Sequence, residues 1–405
     1  MNRLCQGDVG SGKTMVAAAC VYFAARNGRQ AALMAPTEIL ARQHYETLSP
    51  LLEKLGLRCA LLTGSTGVRA RRETNAALAA GEIDLAIGTH ALLTGNVAFR
   101  DLGLVVTDEQ HRFGVAQRAA LAEKGLHPHT LVMSATPIPR TLALILYGDL
   151  DVSLIDELPP GRQPIETFAV PGSYRPRIYA FLRKHIAQGR QAYIVCPMVE
   201  SGEEGGEDAK AVKDYASQLQ KEVFPDLRVA FVHGKMKPKE KEAVMAAFAA
   251  GETDLLVSTT VIEVGVDVPN AAVMVVENAE RFGLSQLHQL RGRVGRGKHQ
   301  SYCILISDNR NEETRQRLKI LTKTNDGFRL AEEDLRLRGP GDFFGVRQHG
   351  LPGLRVADLG CDAQLLQSAQ RAAEALLRED PSLARSPALR ARVAELFARN
   401  AETMN

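Results

Sequence analysis

Residues 7 to 14 read GDVGSGKT, which puts Gly7, Gly12, Lys13 and Thr14 at the spacing G-x-x-x-x-G-K-[ST]. Glycines let several backbone N–H groups converge on one anion, a lysine reaches the outer oxygens of a polyphosphate, and a threonine hydroxyl offers a ligand to Mg2+. Gly7, Asp8, Val9, Gly10, Ser11, Gly12, Lys13 and Thr14 are therefore expected to cradle phosphate, with Lys13 catalytic and Thr14 on the metal. A glycine-rich turn alone would be a weak signal. Here apolar Leu4 and Cys5 precede it and a helix-forming run from Met15 to Ala25 follows, which is the strand, loop and helix order such a site needs.

A triphosphate needs a metal-holding carboxylate, a group that orients or deprotonates water, and a cation for the transition state. Asp108 and Glu109 follow an apolar strand and suit the first two tasks, Asp108 on the metal and Glu109 on the water. Within Gln289-Leu290-Arg291-Gly292-Arg293-Val294-Gly295-Arg296, Arg293 and Arg296 stand three apart between glycines, so both guanidinium groups can face one anion. His111 has two readings, a link between nucleotide and nucleic-acid sites or a half-buried structural histidine. Pro36-Thr37, Gly88-Thr89-His90, His233-Gly234 and Ser258 to Asp267 (STTVIEVGVD) present small polar residues at strand ends. These suit phosphate-backbone contacts better than base readout, with Thr37, Thr89, His90 and Thr259 or Thr260 as candidates, so recognition is expected to be sequence-independent.

The elements that must hold these groups alternate. Short apolar strands are expected at Ala31 to Met34, Arg58 to Leu62, Asp84 to Ile87, Leu104 to Val106 and Thr130 to Met133, with helices between them. Such alternation means a parallel sheet covered on both faces, with ligands at the carboxyl ends of the strands. DELPPGRQP, from Asp156 to Pro164, reads as a linker. Strands at Ala192 to Cys196, Val229 to Phe231, Leu255 to Ser258, Ala272 to Val276 and Tyr302 to Ile306 then build a second α/β lobe, and SGEEGGED from Ser201 reads as a solvated insertion. From about Asn311 the chain turns helical and arginine-rich, with Arg336 and Arg338 just before a Gly-Pro-Gly loop. The expected organisation is lobe one over 1–155, a linker over 156–164, lobe two over 165–310 and a C-terminal region over 311–405.

A chain of 405 residues with 45% hydrophobic and 24% charged residues is an ordinary globular protein of two or three domains. With 50 basic and 47 acidic residues, composition neither demands nor excludes a nucleic-acid partner, so any basic surface is local. The six cysteines (Cys5, Cys20, Cys59, Cys196, Cys303, Cys361) form no C-x-x-C pair and read as reduced thiols. No apolar run is long enough to span a bilayer and no signal peptide is evident, so a cytoplasmic protein without a membrane partner is expected. The phosphate loop lies so close to Met1 that the chain reads as N-terminally truncated.

The set GDVGSGKT, APTE, GTH, DEQH, SAT, STTVIEVGVD and QLRGRVGR, in this order, resembles superfamily 2 helicases. DEQHRFGV from Asp108 and SATPIPRTLAL from Ser134 narrow the resemblance to the RecG family of bacterial ATP-dependent DNA helicases, which remodel stalled replication forks, Holliday junctions and other branched DNA in recombination and repair. The stretch from Thr324 to Gly350 resembles that family's translocation motif, a helical hairpin and loop shared with transcription-repair coupling factors. The resemblance implies an α/β fold of two RecA-like parallel-sheet lobes (a P-loop NTPase) followed by a small helical C-terminal region, with ATP and Mg2+ in the cleft. It implies nucleotide-binding roles for Gly10, Gly12, Lys13, Thr14, Asp108, Glu109, Gly265, Asp267, Gln289, Arg293 and Arg296. It implies translocation roles for Arg336, Arg338, Gly339, Gly341 and Gln348. The implied partners are branched and duplex DNA and a single-stranded DNA-binding protein, and the implied state is a monomer. Members carry an N-terminal wedge domain that is not seen upstream of the loop here. Two other readings stay open: a duplex translocase of the transcription-repair coupling type, and a non-catalytic DNA-binding fragment.

Overall fold

The strand that feeds the phosphate loop is β1, Asn2–Gly7, and its last four residues are fully buried. That burial needs neighbours on both sides, and the computed structural model supplies them: β1 pairs in parallel with β6 (His129–Ser134) and with β7 (Asp151–Ile155). The structure describes residues 1–109, 120–121, 123–135, 150–157, 163–197, 206–259, 268–343 and 363–402. With β2 (Gln30–Met34), β3 (Cys59–Leu62), β4 (Leu85–Gly88) and β5 (Leu102–Asp108), these strands form a seven-stranded sheet of order β3-β4-β2-β5-β6-β1-β7. The strand pairs are parallel throughout.

A parallel sheet needs cover on both faces, so its strands are apolar on both sides. β2 shows the resulting alternation. Ala31 and Leu33 enter one core with Cys5, Val21, Leu48 and Leu104, while Ala32 and Met34 enter the opposite core with Leu62, Leu78 and Val105. Helices α1 (Lys13–Arg26) and α2 (Glu38–Glu53) supply side chains to the first core, and α3 (Val68–Ala80) supplies Leu78 to the second.

The second sheet comprises β8 (Glu166–Val170), β9 (Gln191–Val195), β10 (Val229–Val232), β11 (Leu255–Ser258), β12 (Ala271–Val276) and β13 (Tyr302–Ile306). Its order, β10-β11-β9-β12-β13-β8, is again parallel. Helices α4 (Arg175–Ala187), α5 (Gly206–Gln218), α6 (Pro238–Ala249) and α7 (Leu284–Arg291) accompany it. α8 (Glu312–Lys323) and α9 (Gly327–Phe343) follow, then α10 (Ala363–Glu379) and α11 (Pro387–Glu402). Both sheets lie within one compact unit that ends at Asp334, and α10 and α11 belong to a second. The expected fold class is therefore present: two parallel-sheet lobes and a helical C-terminal region.

The structure departs from the sequence-based expectation at three places. β7 and β8 occupy sheet edges where no strand was expected, because an edge strand is half-exposed and lacks the continuous apolar run of an interior one. α9 continues through Gly339-Pro340-Gly341, where a loop was expected. Proline near a helix end removes only one backbone bond, here to the Arg336 carbonyl, and the preceding turns carry the helix past it.

The two sheets also repeat each other in detail. Ala79-Ala80-Gly81-Glu82-Ile83-Asp84-Leu85 corresponds to Ala249-Ala250-Gly251-Glu252-Thr253-Asp254-Leu255. Asp84 Oδ2 accepts from the Arg58 amide at 2.8 Å, and Asp254 Oδ2 accepts from the Arg228 amide at 2.8 Å. Gln30 Nε2 donates to the carbonyls of Leu78 and Ile83 at 3.0 and 2.8 Å, and Gln191 Nε2 donates to those of Phe248 and Thr253 at 2.6 and 2.7 Å. In this correspondence β8 takes the place of β1. Lobe two has no glycine cradle there, and the Gly172 N–H beyond β8 already donates to Asp308 Oδ1 at 2.7 Å.

Candidate active site

The chain leaves β1 at Gly7 and turns into α1 through Gly10 (φ 80°) and Gly12 (φ 97°), a left-handed conformation that glycine adopts without the penalty a Cβ carries. The Ser11 amide donates to the Asp8 carbonyl at 3.1 Å and the Val9 amide to Asp8 Oδ1 at 2.6 Å, which fixes the loop. Gly7 has no room for a side chain: an added Cβ would lie 2.4 Å from Ser11 Oγ and 3.2 Å from the Ile155 carbonyl oxygen. The loop so formed sits at the N-terminus of a 14-residue helix, where unpaired N–H groups and the helix dipole favour an anion.

Lys13 is buried, with Nζ donating to the carbonyls of Gly7 and Asp8 at 2.8 Å each. Burial pulls its pKa below the usual lysine value, while Asp108, Glu109 and Asp8 oppose that pull by favouring the ammonium. Asp108 ends β5, level with Met133, which in turn pairs with Cys5 of β1, so the carboxylate emerges beside the loop. Its Oδ2 lies 2.8 Å from His44 Nε2 and its Oδ1 accepts from the Glu109 amide at 3.0 Å. Glu109 adopts φ 52°, a strained position for a non-glycine residue and common where side chains are aimed at chemistry.

From the second lobe, α7 ends at Arg291 and its last carbonyls bind the following turn: Gly292 N to His288 O at 2.9 Å and Arg293 N to Leu290 O at 3.0 Å. Gly292 rides close on the phosphate loop, its Cβ direction ending 3.1 Å from Val9 Cγ2. Arg296 Nε donates to the Gly292 carbonyl at 3.1 Å. Gln289, Arg293 and Arg296 therefore line one cavity with Val9 to Thr14, Asp108 and Glu109.

These groups fit a magnesium nucleotide. Among the described residues no cluster of His, Cys, Asp or Glu could hold a metal alone, so a divalent ion here would take nucleotide oxygens as well as Thr14 and Asp108. Ser11 Oγ is buried in the cradle without a hydrogen-bond partner among the described residues, as expected of a hydroxyl that meets a phosphate.

Other expected site residues fall elsewhere. Thr37 caps α2, its hydroxyl accepting from the Leu40 amide at 3.4 Å. Thr89 and Thr259 occupy equivalent positions after β4 and β11, each 2% exposed, with hydroxyls that find no partner among the described residues. His90 is exposed at the start of a short 3-10 turn, and Arg336 is exposed on α9. Thr260, Gly265, Asp267, His111 and Gln348 lie outside the described residues, as does the Arg338 side chain. The sequence reading missed His44 and His288. His44 has a signal: with Ala41 and Leu48 it falls on the buried face of α2, where a histidine calls for a polar partner.

The comparisons with known proteins agree with this arrangement. Residues 1–145 match the DEAD/DEAH box helicase family, residues 177–298 the helicase conserved C-terminal domain, and residues 324–396 the C-terminal part of domain 3 of ATP-dependent DNA helicase RecG. ATP-dependent DNA helicase RecG of Synechocystis sp. is 54% identical over 397 residues, 98% of this chain and 48% of the relative. That of Bacillus subtilis is 53% identical over 380 residues, 94% of this chain and 55% of the relative. The chain thus spans about half the length of the curated relatives it matches. Among solved structures, RecG bound to a three-way DNA junction superposes with a TM-score of 0.75 at 48% identity, covering 91% of this chain and 47% of that one. Yeast Dbp5 bound to RNA and ADP BeF3, at 14% identity, covers 84% of this chain and 83% of that one with a TM-score of 0.58, a likeness of fold alone. The chain belongs to the RecG family of ATP-dependent DNA helicases and corresponds to the part that carries the two motor lobes and the helical region after them.

Proposed function

We propose that this chain hydrolyses ATP between its two lobes and uses the cycle to move along duplex DNA and remodel branched DNA. The observation that carries the reading is that the phosphate loop, Asp108 and Glu109 of lobe one and Arg293 and Arg296 of lobe two line one cavity. Relatives named ATP-dependent DNA helicase, and a RecG structure on a three-way DNA junction, support it.

In this reading Lys13 and the loop amides hold the β and γ phosphates, and Glu109 orients and deprotonates the attacking water. Thr14 and Asp108 would hold Mg2+, which when bound would supply charge neutralisation at the phosphates. Arg293 and Arg296 stabilise the charge of the transition state, a contribution worth about a thousandfold or more in such reactions. Gly265, Asp267 and Gln289 complete the nucleotide contacts. Hydrolysis then depends on lobe closure, and alternating closure and release moves the DNA contacts of Thr37, Thr89, His90 and Thr259; Arg336, Arg338 and Gln348 are the translocation residues of the C-terminal region. The proposal includes lobe one over 1–155, a linker over 156–164, lobe two over 165–310 and the translocation region over 311–405. It also includes a cytoplasmic monomer that meets a single-stranded DNA-binding protein. No helix among the described residues is long and apolar enough to cross a membrane.

The test is a strand-separation assay on a labelled three-way junction with ATP and Mg2+, with Lys13→Ala as the blank. ATP-dependent conversion of the junction above the blank is expected; a folded chain that binds the junction and leaves it intact would restrict the reading to binding.

A further inference from the structure

The two lobes also meet through a buried polar chain that the hydrolysis scheme does not use. His288, on α7 and 2% exposed, places Nε2 3.0 Å from Asp8 Oδ1 in the phosphate loop. Its other nitrogen, Nδ1, lies 2.9 Å from Arg291 Nη2. A guanidinium can only donate, so Nδ1 accepts and Nε2 carries the proton that it gives to Asp8. Arg291, also 2% exposed, donates through Nη1 to the carbonyls of Leu321 and Thr324 at 3.0 and 2.8 Å, where α8 ends and the chain turns toward α9. At the other end Asp8 Oδ1 accepts from the Val9 amide, so the carboxylate is part of the loop's own frame.

We propose that Asp8 and His288 are positioning residues: their bond sets the register of the arginine-bearing turn against the phosphate loop, so that Arg293 and Arg296 meet the same phosphate. The inference rests on the hydrolysis reading for its consequence and on the Asp8–His288–Arg291 chain for its geometry. His288 is joined to the turn by the stiff backbone bonds from Gly292 and Arg293 to α7, so a shift at His288 becomes a shift of both guanidinium groups. A misplacement of about 1 Å can cost a hundredfold in rate without touching the reacting atoms. Because Arg291 is held by the end of α8, the same chain carries any movement of that helix end to the loop.

The test compares His288→Ala, Asp8→Ala and their double variant with His288→Gln, whose amide can donate to Asp8 and accept from Arg291. In DNA-stimulated hydrolysis, kcat is expected to fall roughly ten- to a hundredfold in His288→Ala with the KM for ATP moving far less, and at least as far in Asp8→Ala, where the loop also loses its bond from the Val9 amide. The double variant should be no worse than the poorer single, and His288→Gln should recover most of the loss. A second measurement needs no activity: the distance distribution between spin labels at the exposed Phe23 and Phe168, one on each lobe, should broaden in His288→Ala and narrow again in His288→Gln. Additive losses, a change in His288→Ala carried mainly by KM, or an unchanged distance distribution would overturn the proposal. Should the parent chain hydrolyse no faster than Lys13→Ala, the hydrolysis reading fails, and the distance measurement still decides whether Asp8 and His288 tie the lobes.

Discussion

The His44 imidazole stands 2.8 Å from the Asp108 carboxylate, donating from a buried position on α2 to the acid that ends β5. Two elements far apart in sequence therefore fix one carboxylate, and its other oxygen is held by the Glu109 amide. A carboxylate oriented in this way presents its remaining lone pairs in a set direction, which is what a metal-holding acid needs. His44→Ala should raise the Mg2+ concentration that half-saturates ATP hydrolysis by about tenfold or more. A Mg2+ titration of the rate checks this; an unchanged midpoint would remove His44 from the site.

Gly7 is a matter of space. A Cβ there would meet Ser11 Oγ at 2.4 Å, which can rotate away, and also the Ile155 carbonyl oxygen at 3.2 Å and Ile155 Cβ at 3.0 Å, which belong to the neighbouring strand. Gly7→Ala should cost about 1–3 kcal/mol of lobe-one stability, seen as a lowered melting temperature, and should weaken nucleotide binding because the loop follows directly. A variant that melts with the parent and binds nucleotide equally would contradict the packing described here.

The repeated glutamines give a paired prediction. Gln30 and Gln191 each satisfy two buried carbonyls that close the turn after a helix. Replacing either by leucine takes the side-chain donor from the Ile83 or Thr253 carbonyl, while the Leu78 and Phe248 carbonyls keep the backbone amides of Gly81 and Gly251, a loss of about 1–3 kcal/mol, or on the order of 2–10 °C in the melting of that lobe. The two variants should be alike in size and differ in which lobe melts first, which hydrogen exchange resolved by segment reads directly.

The thiols set an alkaline limit. Burial pushes Cys196 and Cys303 up to about 12 and Cys59 to about 11, against an ordinary value of 9.0. The folded state thus holds these protons more tightly than the unfolded chain does. Their contribution to stability is complete below about pH 9 and is lost as the pH rises through 11 to 12. Iodoacetamide at pH 8 should leave the buried Cys303 unmodified in the folded chain, label the half-buried Cys59 and Cys196 only slowly, and label all three in denaturant, with peptide mass mapping as the readout. Rapid native labelling of Cys303 would contradict its burial.

Much of this architecture was legible because periodicity and chemistry coincided. The apolar runs Ala31 to Met34 and Leu104 to Val106 marked interior strands, and GDVGSGKT, Asp108-Glu109 and the arginines at 293 and 296 sit at strand or helix ends where a parallel sheet collects ligands. The edge strands Asp151–Ile155 and Glu166–Val170 escaped because partial exposure dilutes the apolar pattern. The lobe repeat escaped because its two copies of Ala-Ala-Gly-Glu-x-Asp-Leu are far apart in the chain and its remaining likeness lies in hydrogen bonds rather than in residue identity. His44 and His288 escaped for a related reason: each acts through a partner, Asp108 or Asp8, that only the folded chain brings near.

The central claim is that lobe-two arginines complete a nucleotide site built on lobe one. It is tested most directly by steady-state ATP hydrolysis with and without duplex or three-way-junction DNA, comparing the parent chain with Arg296→Ala and with Lys13→Ala. The account predicts DNA-stimulated hydrolysis in the parent chain, a fall of about a thousandfold in kcat for Arg296→Ala with nucleotide still bound, and a baseline rate for Lys13→Ala. An Arg296→Ala chain that keeps the parent's DNA-stimulated rate would contradict it.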